Sequence, residues 1–121
     1  MEKNEGSQCI PCLFDIEAQL DQFNWEPLKA GVEISRIYGD DKGGPSAALL
    51  RYAPGAVVSL HKHTGYEHIL VLAGSQSDGA KVFEKGSLII SAPGSQHRIH
   101  SETGCVVLAI WQMPVSFIED I

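Results

Sequence analysis

The sequence predicts an all-β fold, an antiparallel sandwich or barrel, and three observations predict it. Beyond Trp25 the chain is a succession of short runs rich in Val, Ile and Leu. Glycine- and proline-bearing segments break these runs: "YGDDKGGP", "APGA", "AGSQSDG", "EKG", "APGS" and "SETG". No long helical periodicity lies between them, which argues against alternating strands and helices.

Taken in order, residues 1–12 ("MEKNEGSQCIPC") are polar and unpatterned and read as a flexible arm before a single domain over 13–121. "DIEAQLDQF" carries Ile16, Leu20 and Phe23 at i, i+4 and i+7, one face of a short N-terminal helix. Strands are expected near 32–38, 46–53, 56–63, 66–73, 80–83, 87–92, 97–100 and 104–111. "SLII" and "CVVLAIW" are apolar on both faces, so each face meets protein, and a homodimer interface is one way to cover the outer one. The closing "MPVSFIEDI" has enough apolar residues to pack on a neighbour. No internal repeat or low-complexity segment interrupts this pattern.

At 121 residues, 44% apolar and 20% charged, the chain has ordinary globular composition and enough length for one core without disulfides. The net charge of -6 and the scattered basic residues disfavour nucleic acid and anionic membranes. The N-terminus lacks the apolar stretch of a secretory signal, and no run approaches the roughly 18 apolar residues of a spanning helix. A cytoplasmic protein is expected, with Cys9, Cys12 and Cys105 as thiols. Cys9 and Cys12 form a CxxC suited to zinc or redox chemistry, but no second CxxC or βαβ pattern accompanies it, so two free thiols are the plainer reading. Cys105 opens an apolar run and reads as a small core residue.

"HKHTGYEH" gathers three of the five histidines. Side chains alternate across a strand, so His61 and His63 project to one face, which simple alternation shares with Ser59 and Val57. "TGY" suits a hairpin turn, bringing Glu67 back beside the imidazole pair. Glu67, Ile69 and Val71 share one face of the return strand, and His68 points away. Three polar groups converging in an apolar interior need partners, and a divalent cation suits two neutral imidazoles and a carboxylate. His97, one residue into a strand after "PGSQ", can supply a fourth ligand; it shares a face with Ile99, while Arg98 and His100 lie opposite. His68 and His100 fall on the wrong faces and read as ordinary sheet residues.

The segment Gly55–Gly74 reads G-x5-H-x-H-x3-E-x6-G, which resembles the first cupin motif at every fixed position. Gly86, Gly94 and His97 keep the spacings of the second motif, whereas Pro93 sits one place late and Ser101 stands where Asn is usual. More narrowly, "WEPLKAGV", "LLRYAPGAVVSLHKH", "GYEHILVLAGSQSDG" and "KGSLIISAPGSQHRIHSETGCVVL", over about residues 20–112, resemble the ChrR-type cupins, the class found as the C-terminal domain of a group of anti-sigma factors and as small free-standing proteins. "GYEH" departs from that pattern at Tyr66 and His68. The resemblance implies a double-stranded β-helix (jelly-roll barrel) with His61, His63, Glu67 and His97 as ligands of a divalent metal: zinc, Fe(II), manganese or nickel. In the anti-sigma members a helical zinc domain precedes the cupin and holds the sigma factor; the residues before it here cannot rebuild that domain, so sigma-factor binding is disfavoured.

Two function classes follow from the resemblance. One is a metal-dependent oxidoreductase, a dioxygenase acting on a small oxygen-chelating substrate, for which Tyr66, Tyr52 and Arg51 are candidate polar contacts; an apolar lining of Val57, Ile69, Val71 and Ile99 suits either class. The other is a non-catalytic zinc-binding sensor or small-molecule binding module, since zinc has no redox chemistry. Metal-assisted isomerisation ranks third for want of a dedicated base.

Overall fold

The computed structural model describes residues 3–4 and 6–118. Strands β1 (Lys3–Asn4) and β2 (Ser7–Gln8) pair antiparallel within the expected arm, of which residues 1, 2 and 5 lie outside the described residues. The other ten strands form one curled antiparallel sheet: β3 (Glu26–Lys29), β4 (Val32–Tyr38), β5 (Ser46–Tyr52), β6 (Ala56–Lys62), β7 (Glu67–Ser77), β8 (Val82–Glu84), β9 (Leu88–Ser91), β10 (Gln96–Ser101), β11 (Cys105–Trp111) and β12 (Ser116–Phe117). Their order is β12-β6-β10-β7-β11-β5-β4-β3, with β8 and β9 pairing β7 off this path. The all-β expectation is met.

The eleven-residue β7 joins the two halves of the curl. Its first part pairs β9 on one side and β11 on the other, and its last residues pair β8 and β10. "AGSQSDG" is thus not a turn from its start. Gly74 carries β7 onward at φ +71, where a Cβ would collide with the carbonyl oxygen of Gly104, so only glycine lets the strands approach. The chain turns later, at Asp78, whose Oδ1 accepts from the backbone nitrogens of Ala80 at 2.9 Å and Lys81 at 2.8 Å.

Two apolar layers explain "CVVLAIW", apolar on both faces, whereas in "SLII" Ile89 packs inward and Leu88 and Ile90 are each 57% exposed, against the expectation that both its faces meet protein. Inside the curl lie Val32, Ile34, Leu50, Val58, Ile69, Val71, Ile99 and Val107. Outside it, Leu49, Leu72, Ala73 and Val106 pack on the fully buried Ile16. Ile16 belongs to a 3₁₀ segment, Leu13–Gln22, which presents the predicted face with Leu20 and Phe23 but is kinked at Asp15 and Gln19. Trp25 Nε1 donates to the Leu20 carbonyl at 2.9 Å and ends that segment against the sheet.

Besides β1 and β2 in the arm, two strands of the large sheet were not expected from sequence. β3 contains Pro27, which a central strand excludes but an edge strand tolerates, and β3 is an edge. β12 lays the C-terminal segment along the free edge of β6, pairing Ser116 with Lys62 and Phe117 with His61; residues 119–121 of the tail lie outside the described residues. Among the described residues no helix is long and apolar enough to cross a membrane.

Candidate metal centre

His61 and His63 both turn into the curl, but simple alternation from Val57 does not place them there. Ser59 and Leu60 together stand opposite Arg98, a β-bulge that reverses the faces of β6. Val58 therefore lines the interior with His61, while Val57 is 49% exposed on the outside, correcting its expected place in the lining. Glu67, Ile69 and Val71 are buried on one face of β7, as alternation predicts. His97 and Ile99 face inward from β10, and Arg98 and His100 are exposed.

The sheet brings His61, His63, Glu67 and His97 together, with their ligand atoms all within 4.8 Å of one another, a cluster that could hold a metal ion. The His97 ring centroid lies 4.5 Å from those of both His61 and His63. Each of the first two rings is fixed by the nitrogen that faces away from the cluster. His61 Nδ1 donates to the Ser59 carbonyl at 2.9 Å, and His63 Nδ1 lies 3.0 Å from the Ser95 carbonyl and 2.9 Å from its hydroxyl. A proton held on Nδ1 turns Nε2 toward the cluster, where in the neutral ring its lone pair can meet a metal. The Gly94–Ser95 turn is tied to His63 by the Gly94 N–H, which donates to the His63 carbonyl at 2.8 Å; the displaced Pro93 leaves that turn intact.

His97 Nε2 is a buried side-chain atom with no hydrogen-bond partner among the described residues. It lies 3.8 Å from Glu67 Oε1, which is 3.2 Å from His63 Nε2. A buried imidazole nitrogen left without a partner is costly unless something absent from the protein chain meets it. Trp111 Nε1 donates to Glu67 Oε2 at 2.8 Å, so one carboxylate oxygen is held by the indole and the other faces the imidazoles. The donor set therefore fits a divalent ion: three neutral nitrogens and an oriented carboxylate oxygen, on strands β6, β7 and β10 and the turn after β6.

Charge in this cluster is distributed unevenly. Burial, then the neighbouring His61, hold His97 down at about 4. Burial likewise lowers His61, only partly offset by the Ser59 carbonyl and Glu67. Burial acts to lower His63, but its hydrogen bond to Glu67 and that carboxylate's charge outweigh burial and raise it. Burial opposes ionisation of Glu67, yet His63 and the Trp111 N–H overcome it and keep its carboxyl below the ordinary value.

A cavity of about 260 Å³ adjoins the cluster, bounded by His61, Glu67 and His97 and walled by Ile34, Leu50, Val58, Ile69 and Ile99. Phe117 lies 5.5 Å from the His61 ring, with Lys29 Nζ 3.7 Å from its centroid, and both line the cavity. Of the candidate polar contacts, Tyr52 is buried and lines this cavity. Arg51 projects to the opposite face, 4.4 Å above the Trp25 ring and 2.8 Å from Glu33. Tyr66 is 47% exposed and does not line the cavity. Ser101, in the place of the usual Asn, is fully buried and donates to the Ser75 carbonyl at 2.6 Å, tying β10 to β7. Cys105 is a buried free thiol, as expected, and Cys9 and Cys12 are exposed and free.

Sequence reasoning missed Trp111, Ser95, Phe117 and Gln76. Trp111 meets Glu67 only through the β7–β11 register, and Phe117 reaches His61 only through β12. Neither pairing leaves a local signal in sequence.

Residues 15–114 match the family model described as the ChrR cupin-like domain. No curated protein matches the sequence. Among solved structures, a cupin-like protein of unknown function from Ralstonia eutropha JMP134 is 22% identical with a TM-score of 0.62, covering 68% of this chain and 55% of its own. Rhodobacter sphaeroides SigE in complex with the anti-sigma ChrR gives 30% identity and a TM-score of 0.67, over 76% of this chain and 50% of the matched one. The chain thus spans only about half the length of these two. An acetylacetone dioxygenase from Acinetobacter johnsonii is 14% identical with a TM-score of 0.74, covering 99% of this chain and 82% of its own.

Proposed function

The chain belongs to the ChrR cupin-like domain family, and from that premise we propose that it is a metal-dependent, dioxygenase-like cupin that holds a divalent ion through His61, His63, Glu67 and His97 and takes a small oxygen-chelating ligand. The unpartnered Nε2 of His97, aimed at the same point as three oriented ligands, carries this reading. A bound divalent ion supplies Lewis acidity toward the ligand's oxygens and, with iron, manganese or nickel, redox chemistry. The chain's own residues do the rest. The Ser59 and Ser95 carbonyls hold two imidazoles in the ligating tautomer, Trp111 aims Glu67, and the apolar walls displace water from the ligand. The Acinetobacter johnsonii likeness supports the fold, and that protein's activity suggests a β-diketone as the probe.

Elemental analysis of protein purified without chelator or affinity-tag metal, beside the His61→Ala variant, is the test. Stoichiometric iron, manganese or nickel lost in the variant, with O₂ uptake on addition of pentane-2,4-dione, is the expected result. No metal in either protein sinks the assignment. Zinc without O₂ uptake favours a second reading, a zinc-bearing binding module, which the higher identity to ChrR supports. The chain covers half of that protein, and sigma-factor engagement is not part of either reading.

We also propose a homodimer, in the cytoplasm. Ile90, His68, Ile110, Ala47 and Tyr38 form one cross-strand row on the outer face, with Ile90 57% and Tyr38 49% exposed. The 3₁₀ segment covers the neighbouring part of that face, around Leu49, Leu72 and Val106, and a second copy would cover the rest.

A further inference from the structure

Two buried polar side chains in the cavity are not used by the metal cluster. Tyr52 is 6% exposed and Gln76 is 3% exposed, and both line the cavity among aliphatic walls. Gln76 faces inward because Leu72 is an extra residue between the Val106–Ala73 and Val107–Val71 pairs, a bulge that reverses the alternation of β7. Tyr52 enters from the row in which it pairs with Cys105, six residues along β11 from the Trp111–Glu67 pair. Gln76 Oε1 has a weak contact with Cys105 Sγ at 4.0 Å, and since His97 Nε2 alone among the described buried side-chain atoms is enclosed without a partner, the Tyr52 hydroxyl and the Gln76 carboxamide nitrogen open onto the cavity. Inward strand positions among aliphatic walls are ordinarily filled by apolar side chains, and these two instead turn donors toward whatever fills the cavity.

We propose that Tyr52 and Gln76 form a second subsite that recognises a neutral acceptor oxygen, a ketone, ester or amide carbonyl, on the far end of the same ligand that chelates the metal. This rests on the reading of the metal centre given above. Both groups offer donors: the phenol an O–H and the carboxamide an N–H₂. Burial, Cys105 and Glu67 all act to keep the phenol protonated, so it donates and does not turn into an anion. An anionic ligand end is disfavoured there, since Glu67 already places negative charge near Tyr52 and the cavity's Lys29 and Arg36 are matched by Asp40 and Asp41. The cavity, about 260 Å³, suits a small molecule.

The test is binding of pentane-2,4-dione derivatives to the metal-loaded protein, followed by calorimetry and by the metal–enolate absorption band. One methyl group is extended by an arm of one to four carbons that ends in a methyl ketone, in the matched alkyl group or in a carboxylate. At one arm length the ketone should bind about tenfold more tightly than its alkyl match, the size of one or two neutral hydrogen bonds made in a dry site. That preference should fall to about twofold or less in Tyr52→Phe and in Gln76→Met, with metal content unchanged. Equal binding of ketone and alkyl arms at every length, tighter binding of the carboxylate arm, or a ketone preference that survives both substitutions overturns the subsite while leaving the metal centre standing. Failure to load metal, or loaded metal that does not bind pentane-2,4-dione, overturns the metal-centre reading and this subsite with it.

Discussion

Trp111 and Glu67 stand directly opposite each other across β11 and β7, and the indole N–H donates to one oxygen of the carboxylate at 2.8 Å while the other oxygen lies 3.2 Å from His63 Nε2. The indole thereby sets which Glu67 oxygen can meet a metal. A ligand carboxylate with a free torsion would have to be ordered at the moment of binding; this one is ordered by the fold.

Replacing Trp111 by Phe should keep the fold and lower metal affinity roughly 10–100-fold, the usual effect of removing a partner that orients a ligand. Competition with a chelator of known affinity measures it. Unchanged affinity in Trp111→Phe would show that the indole only fills space.

His97→Ala should remain folded, because it removes a polar nitrogen that has no partner among the described residues. Metal stabilises the native state by about 2.7 kcal/mol at a hundredfold excess over Kd. EDTA should therefore lower the melting temperature of the wild type and leave that of His97→Ala where it was. An equal EDTA effect on both proteins would remove His97 from the ligand set.

The metal-free protein should be most stable near pH 6.5. His97 is depressed to about 4 from 6.5, so between those values the unfolded chain binds a proton the folded one resists, and stability falls as pH drops through that window. His61, also lowered by burial, acts in the same direction. Glu67 is held below its ordinary 4.5, and its stabilisation is lost as pH falls through its folded value. His63 is raised above 6.5, so its stabilisation is full below 6.5 and lost as pH rises through its folded value. Metal holds the imidazoles unprotonated and should abolish the alkaline decline. Melting curves from about pH 4 to 9, with and without metal, check both limbs; a metal-free melting temperature that only climbs with pH would contradict the His63–Glu67 ion pair.

Ile110→Lys places a charge in the middle of the outer row, at a position 39% exposed between His68 and Ala47, without entering either apolar layer. Sedimentation equilibrium should find a dimer in the wild type and a monomer in the variant, with the melting temperature of the metal-loaded variant at low protein concentration close to that of the wild type. A monomeric wild type would leave that face without the partner proposed for it.

Much of the candidate centre was legible because its signal is local. Alternation put Glu67 with Ile69 and Val71, and His97 with Ile99, on inward faces. Bulges were not legible, since an extra residue is defined only against the partner strand. The bulge at Ser59–Leu60 exchanged Val57 for Val58, and the one at Leu72 turned Gln76 inward. His61 and His63 escaped the first error because both follow the bulge. The spacing of Ile16, Leu20 and Phe23 marked the face that docks on the sheet, but not its kinked 3₁₀ path, which packing imposes. β3 and β12 were missed because each is an edge strand recruited by a neighbour.

The central place of β7 also governs how the chain is assembled during synthesis. β7 ends at Ser77, whereas β11, which pairs seven of its residues, begins at Cys105. Until β11 leaves the ribosome, β7 emerges with an unpaired apolar edge, open to other chains. Its amide protons, bonded to strands on both sides in the finished protein, should be among the last to exchange, opening only when the whole sheet does. The strand that carries Glu67 thus has open edges during birth and is among the best protected afterwards.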